Sequence, residues 1–138
     1  MVEIAVPSIA NTQVRELAIL AVDEVTLAHG GKHYVVEDSD SAIYLVDKGM
    51  IVSLLVWRDS PEQRSAWIGI AWTMSNYRRQ GLYSRLLESL RRHALAQGFG
   101  TIRCGIAFTN HRSRRLHTAF GMRPSFYELS LLGSGNEV

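Results

Sequence analysis

Between Trp67 and Phe108 the chain changes its apolar period twice, in an order that leaves few folds open. Trp67 to Thr73 reads as a strand, and Ser75 to Gly81 as a polar turn that contains a glycine. Leu82, Leu86, Leu87, Leu90 and Ala94 then fall on one helical face, and Gly98 supplies the stop. Thr101 to Phe108 alternates, with Ile102, Cys104, Ile106 and Phe108 on one side. A strand, helix, strand crossover of this length makes the two strands parallel neighbours joined by a right-handed connection.

Upstream, Val2 to Val6 alternates as a short strand that Pro7 ends. Asn11 or Thr12 can cap a helix carrying Val14, Leu17, Ala18, Ala21, Val22 and Val25 at helical spacing up to His29-Gly30-Gly31. His33 to Ser41 is a polar loop with a short extended piece at Tyr34 to Val36 and the acids Glu37, Asp38 and Asp40. Ala42 to Val46 and Met50 to Trp57 flank Asp47-Lys48-Gly49 and predict an antiparallel hairpin, which the strand from Trp67 extends into a meander. A chain of 138 residues with this alternation predicts a single α/β domain over 1–132 and a flexible tail over 133–138.

Composition removes several classes. Hydrophobic residues at 46% and charged residues at 20% exclude a disordered or collagen-like chain. Apolar runs such as Ile51 to Trp57 fall far short of the roughly 18 residues of a membrane span. Glu3 stands where a secretory signal would be basic. Cys104 is the sole cysteine, which excludes disulfide scaffolds and cysteine zinc sites and fits a reducing cytoplasm. His29, His33, His93, His111 and His117 show no metal-binding spacing, and His93 reads as a surface residue among arginines.

Charge is polarised. Residues 1–65 carry five basic side chains against ten acids, whereas residues 66–138 carry ten arginines, no lysine and three acids. Guanidinium forks match phosphate oxygens. The turn before Leu82 gathers the other requirements of an anion site: free N–H groups from Gln80 to Ser84, the positive end of a helix dipole, and Gly81 to let a ligand approach. Arg78 and Arg79 add charge. Neither G-x-x-x-x-G-K-[ST] nor a G-x-G-x-x-G after a strand is present, so this is neither a P-loop nor a dinucleotide fingerprint.

Arg78-Arg79-Gln80-Gly81-Leu82-Tyr83 resembles the signature of the GNAT family of N-acetyltransferases, an Arg or Gln, two residues, Gly, one residue, then Gly or Ala, in all but the last position. A second block, Asn110, Leu116-His117 and Phe120-Gly121-Met122, is similar to the family's Asn, Leu-Tyr and Gly-Phe. The resemblance implies a mixed, mostly antiparallel sheet flanked by helices and splayed between the strands near 67–73 and 101–108. It implies acetyl-coenzyme A as acyl donor and an amine as acceptor, with no metal. Main-chain groups of Ala71 and Thr73 would pair with pantetheine, and Gln80, Gly81, Leu82, Tyr83 and Ser84 would hold phosphates beside Arg78, Arg79 and Asn110. By the same resemblance His117 takes the place of the tyrosine that protonates the departing thiolate, with Tyr83 and Tyr77 in reserve. Glu37, Asp38 and Asp40 would lie on the acceptor side and attract a cationic amine.

Two departures leave other readings open. Tyr83 replaces a small residue beside the phosphate turn, and Trp67 to Thr73 carries no acid to serve as a base. A catalytically silent relative that binds coenzyme A or a protein partner therefore competes with the transferase, and an acid of the Glu37 to Asp40 cluster could carry the proton through water. Nucleic-acid binding by Arg91, Arg92, Arg112, Arg114 and Arg115 is disfavoured, because no aromatic-basic signature accompanies them. An exposed sheet edge would suit a homodimer.

Overall fold

The computed structural model describes residues 1–29, 33–106 and 110–123. Its strands are β1 (Val2–Val6), β2 (Ser41–Asp47), β3 (Met50–Ser60), β4 (Ser65–Thr73) and β5 (Thr101–Cys104), and its helices α1 (Gln13–His29), α2 (Leu82–Ala96) and α3 (His111–Phe120). They form one sheet in the order β1-β2-β3-β4-β5, antiparallel except for the parallel β4–β5 pair. The crossover through α2 thus makes β4 and β5 parallel neighbours, as the periods require. Tyr34 to Val36 does not form a strand, and the predicted end of the last strand at Ala107 and Phe108 lies outside the described residues, as does the predicted tail.

Each face of the sheet carries one core. Val14, Ala18, Ala21 and Val22 of α1 bury against Ala42, Leu54, Val56 and Ile70. On the other face Leu86, Leu87, Leu90 and Ala94 of α2 pack on Ile43, Leu45, Leu55, Ala66 and Ile68, joined by Tyr83 and Phe99. Burying a side chain of this size contributes about 1.5–3 kcal/mol, so the two helix stripes hold the layers together. Val25, the last of the predicted α1 stripe, is 36% exposed and lies outside the core cluster on this face.

Local chemistry fixes the turns. Lys48 (φ 51°) and Gly49 (φ 78°) both take left-handed conformations between β2 and β3, the pattern of a two-residue turn matched to strand twist. Helix α2 ends with Gly98 N–H on the Leu95 carbonyl (3.0 Å) and Phe99 N–H on the Ala94 carbonyl (2.9 Å), while Phe99 packs in the same core as Ala94. His93 differs from its sequence reading. It is half-buried and turned to the Asp59 carboxylate (3.1 Å), with its ring centroid 5.1 Å from that of Trp57.

One irregularity positions the groove beside α2. Val56 pairs with Ile70 and Trp57 with Ile68, so Gly69 has no partner on β3 and forms a bulge. A Cβ at Gly69 would lie only 2.1 Å from Tyr34 Cζ, because the tyrosine ring rests directly on this glycine. Gly69→Ala should therefore displace the ring and destabilise the protein by about 1–3 kcal/mol in urea unfolding, as overpacking does. With Tyr34→Ala also present, the glycine change should cost much less; an additive double mutant would contradict the contact.

Candidate active site

Pairing between β4 and β5 runs from Ser65/Thr101 to Ile68/Cys104 and stops there, at the bulge, while β4 continues to Thr73. The sheet consequently opens from Gly69 onward. Met74 N–H bonds to the Val52 carbonyl (2.9 Å), and antiparallel pairing alternates. Counting back along β4 from Met74, the N–H and C=O groups of Thr73 and Ala71 therefore point away from β3 and into the opening. The groove that results is lined by α1 on one side, β4 along its floor, and the start of α2 and all of α3 on the other.

At the end of β4 a short 3-10 turn (Ser75–Tyr77) leads to Arg79 (φ 64°) and Gly81 (φ 75°), and α2 begins at Leu82. No side chain caps α2. Its first helical hydrogen bond comes from Arg85 N–H to the Gly81 carbonyl (3.1 Å), so the N–H groups of Leu82, Tyr83 and Ser84 face outward without helical partners. A Cβ on Gly81 would meet nothing within 4 Å, hence glycine is required by the left-handed backbone and not by crowding. The space ahead of the helix is open to an anion. Arg79 is exposed on this rim and has no acidic partner among the described residues.

Arg78 departs from its expected role. Its Nε donates to the Thr73 carbonyl (2.8 Å) and its Nη2 to Glu24 of α1 (2.9 Å). Glu24 also accepts from Trp72 Nε1 (2.9 Å), and that bond, together with the Arg78 contact, holds its carboxyl below the usual range against the cost of burial. Arg78 thus braces the open end of β4 against α1 and is not free to meet phosphates. Glu24 escaped sequence reasoning, since nothing local links it to residues so far along the chain.

On the opposite wall Asn110 Oδ1 accepts from Ser113 N–H (3.2 Å) and caps α3. Its side-chain oxygen is committed to the cap, and the residue lines the groove. His117 is buried beneath. Its Nδ1 lies 2.7 Å from the Ser113 carbonyl, which can only accept, so Nδ1 carries the proton. Nε2 is then the acceptor for the Tyr83 hydroxyl at 3.1 Å. Burial lowers the His117 pKa, against a smaller opposing effect of the Ser113 carbonyl, and burial raises that of Tyr83. His117 is therefore not placed as the direct proton donor that the family resemblance implies. Both ring nitrogens are occupied, and the histidine ties α3 to α2. Tyr83 points into the core, so its ring does not crowd the space before α2. Tyr77, the other reserve donor, gives its hydroxyl to Asp47 (2.9 Å).

The acidic cluster is also not what its composition implies. Asp40 is fully buried and accepts from Arg58 Nε (2.7 Å), Arg58 Nη2 (3.1 Å), the Tyr34 hydroxyl (2.8 Å) and Glu37 N–H (3.0 Å). Asp38 pairs with Arg15 (2.6 Å), and Glu37 lies 3.6 Å from Arg58. The three carboxylates share two guanidiniums, Arg15 and Arg58, so most of their charge is engaged within the fold and not held open for a cationic acceptor. What reaches the groove from this loop is Tyr34, which the sequence shows only as part of an extended piece. Among the described residues no group of three or more metal-ligating side chains exists, and no helix is long and apolar enough to cross a membrane.

A buried neutral histidine makes stability depend on pH with a definite sign. The His117 pKa is lower in the folded chain than the unfolded value near 6.5, so its contribution is whole above that value and is lost as pH falls through the folded one. Between about pH 7.5 and 5 the melting temperature should drop more steeply for the parent than for His117→Asn. Parallel slopes would show that His117 does not titrate on unfolding.

The sequence matches the Acetyltransferase (GNAT) family over residues 13–122. No curated protein sequence matches the chain. Solved structures do. A ribosomal-protein-alanine N-acetyltransferase from Brucella melitensis biovar Abortus 2308 superposes with a TM-score of 0.71 at 10% identity, over 96% of this chain and 100% of that one. An aminoglycoside acetyltransferase from an uncultured soil metagenomic sample gives 0.67 at 17% identity, over 97% and 100%. A GNAT family acetyltransferase from Elizabethkingia anophelis with acetyl-CoA bound gives 0.68 at 15% identity, over 90% and 78%. At these identities the likeness is one of fold. With the family matched over most of its length, on a sheet that opens beside an uncapped helix start, the chain belongs to the GNAT acetyltransferase family.

Proposed function

We propose that this protein is an N-acetyltransferase that moves an acetyl group from acetyl-CoA directly to an amine. The observation that carries the reading is the alignment of two sets of main-chain groups along one groove: the edge that Ala71 and Thr73 turn away from β3, of which Arg78 takes the Thr73 carbonyl, and the N–H groups of Leu82 to Ser84 without helical partners. Pantetheine pairs with the first set as a strand would, and the diphosphate meets the second with help from Arg79. Coenzyme A is the ligand whose extended amide arm and diphosphate match both. The acetyl-CoA bound to the Elizabethkingia protein supports the choice of donor.

The chemistry then rests on placement. A primary amine of pKa near 10.4 is uncharged in about one molecule per thousand at neutral pH. Holding that fraction against the thioester lowers the barrier by roughly 7–11 kcal/mol, more than acid or base assistance supplies. The amine nitrogen attacks the carbonyl carbon and gives up one proton to water, the tetrahedral intermediate collapses, and the C–S bond breaks with its electron pair on sulfur. A thiol ionises at a pKa of about 8.5, so the thiolate leaves near neutrality without a strong acid, in keeping with the engagement of His117 and Tyr83 elsewhere.

The acceptor is defined as a class, an amine, because the acids expected to select a cation are engaged in ion pairs. The test is release of free thiol from acetyl-CoA with a panel of spermidine, kanamycin, amino acids and peptides with N-terminal alanine or internal lysine. Thiol release that depends on one of these amines is expected. Tight acetyl-CoA binding with no release from any of them would instead establish the silent coenzyme A-binding relative.

Two substitutions address the donor site by calorimetry. Gly81→Asp places a negative side chain ahead of α2 and strains its backbone, and it should weaken acetyl-CoA binding at least about tenfold. Arg79→Ala removes a charge-assisted hydrogen bond and should cost about tenfold or more, whereas Arg78→Ala should act on stability as well as on binding. Unchanged affinity in Gly81→Asp would remove the diphosphate from this turn.

A further inference from the structure

An ion pair between a buried carboxylate and a half-exposed arginine fixes the place of one phenol at the mouth of the opening. The Tyr34 ring lies on the bulge glycine Gly69, where β4 and β5 part, and Arg58 stands 5.1 Å from its centroid. Its hydroxyl donates to Asp40 (2.8 Å), whose carboxylate is fully buried and held by two nitrogens of Arg58. A tyrosine hydroxyl has one proton and two lone pairs. With the proton committed to Asp40, Tyr34 can offer the groove only an acceptor. Burial, and then the contact with Asp40, raises its pKa, so the phenol stays un-ionised. It also lines the opening from the α1 side, across β4 from α2 and α3. Pantetheine running along Thr73 and Ala71 toward Gly69 would bring its thioester end to this point.

We propose that the Tyr34 oxygen binds the acceptor amine, taking a hydrogen bond from its N–H and aiming the nitrogen lone pair at the acetyl carbonyl. The inference rests on the transferase reading above and names a residue for its second substrate. It also accounts for the buried Asp40 and its partner Arg58, which fix the direction of the one phenolic proton so that the oxygen presents lone pairs to an N–H donor. A hydroxyl free to rotate would present its proton as readily. Asp40 and Arg58 are thus positioning residues, and Tyr34 the group that touches the substrate.

Tyr34→Phe retains the ring on Gly69 and deletes only the oxygen. Each panel amine that the parent acetylates should show a KM raised, and kcat/KM lowered, about three- to tenfold, the effect of losing one hydrogen bond. Acetyl-CoA affinity by calorimetry should stay near that of the parent, and the melting temperature should fall only by what one lost hydrogen bond to the buried Asp40 costs. Asp40→Asn keeps an acceptor for the phenol and should lose less in amine KM than Tyr34→Phe. An unchanged amine KM in Tyr34→Phe, or a loss of acetyl-CoA affinity equal to any loss with the amine, would overturn the assignment. If the parent binds acetyl-CoA but releases no thiol with any amine, the transferase reading fails first, and the proposal with it.

Discussion

A strand inside a sheet that loses its neighbour halfway exposes N–H and C=O groups that folding normally pairs, and each costs about 1–3 kcal/mol if buried unpaired. Strand β4 is in that position from Gly69 to Thr73. The extra residue at the bulge turns β4 away as β5 pairing stops, and Tyr34 fills the place a side chain at position 69 would need. The sheet is thereby held open along one edge without losing its core, because Leu54, Leu55 and Val56 of β3 remain fully buried beneath. A ligand that supplies strand-like hydrogen bonds completes the sheet.

The two faces of the opening differ in what they offer. On the α2 and α3 side the groups presented are donors: helix N–H groups, the Arg79 guanidinium, and exposed arginines of α3 such as Arg112 and Arg115. On the α1 side carboxylates are paired with arginines, Glu24 with Arg78, Asp38 with Arg15, and Asp40 with Arg58. Charge polarity along the chain therefore survives folding as a polarity of the groove, with a basic wall for an anion and an opposite wall whose acids are engaged within the fold. The exposed pairs among these contribute little to stability. Their effect is positional, as is that of the buried Asp40: Arg78 is held on the Thr73 carbonyl and the Tyr34 hydroxyl on Asp40.

Local pattern was sufficient for whatever depends on neighbours in sequence. The crossover from β4 through α2 to β5 and the hairpin over Asp47-Lys48-Gly49 follow from period and turn chemistry, whereas Gly81, read in the sequence as room for a ligand, is set by its left-handed backbone. Asn110, expected to hold the cofactor, lines the groove, and its side-chain oxygen serves as a helix cap. The contacts that decide side-chain roles span longer stretches. Glu24 meets Arg78 across 54 residues, Tyr83 meets His117 across 34, and Arg58 meets Asp40 across 18. No spacing rule joins such pairs, so free arginines, a titrating histidine and an open acidic loop were expected where the fold forms closed ones. Gly69 was the overlooked clue, since a glycine inside an apolar strand marks a bulge or a close approach.

The most direct measurement is amide-resolved NMR of the nitrogen-labelled protein titrated with acetyl-CoA. The largest shifts should fall on Leu82, Tyr83 and Ser84 and on Ala71 and Thr73, with hydrogen exchange of the Ala71 and Thr73 amides slowed once pantetheine takes the place of the missing strand. Shifts confined to other surfaces, or saturation with those five amides unmoved, would contradict the opening between β4 and β5 as the donor site.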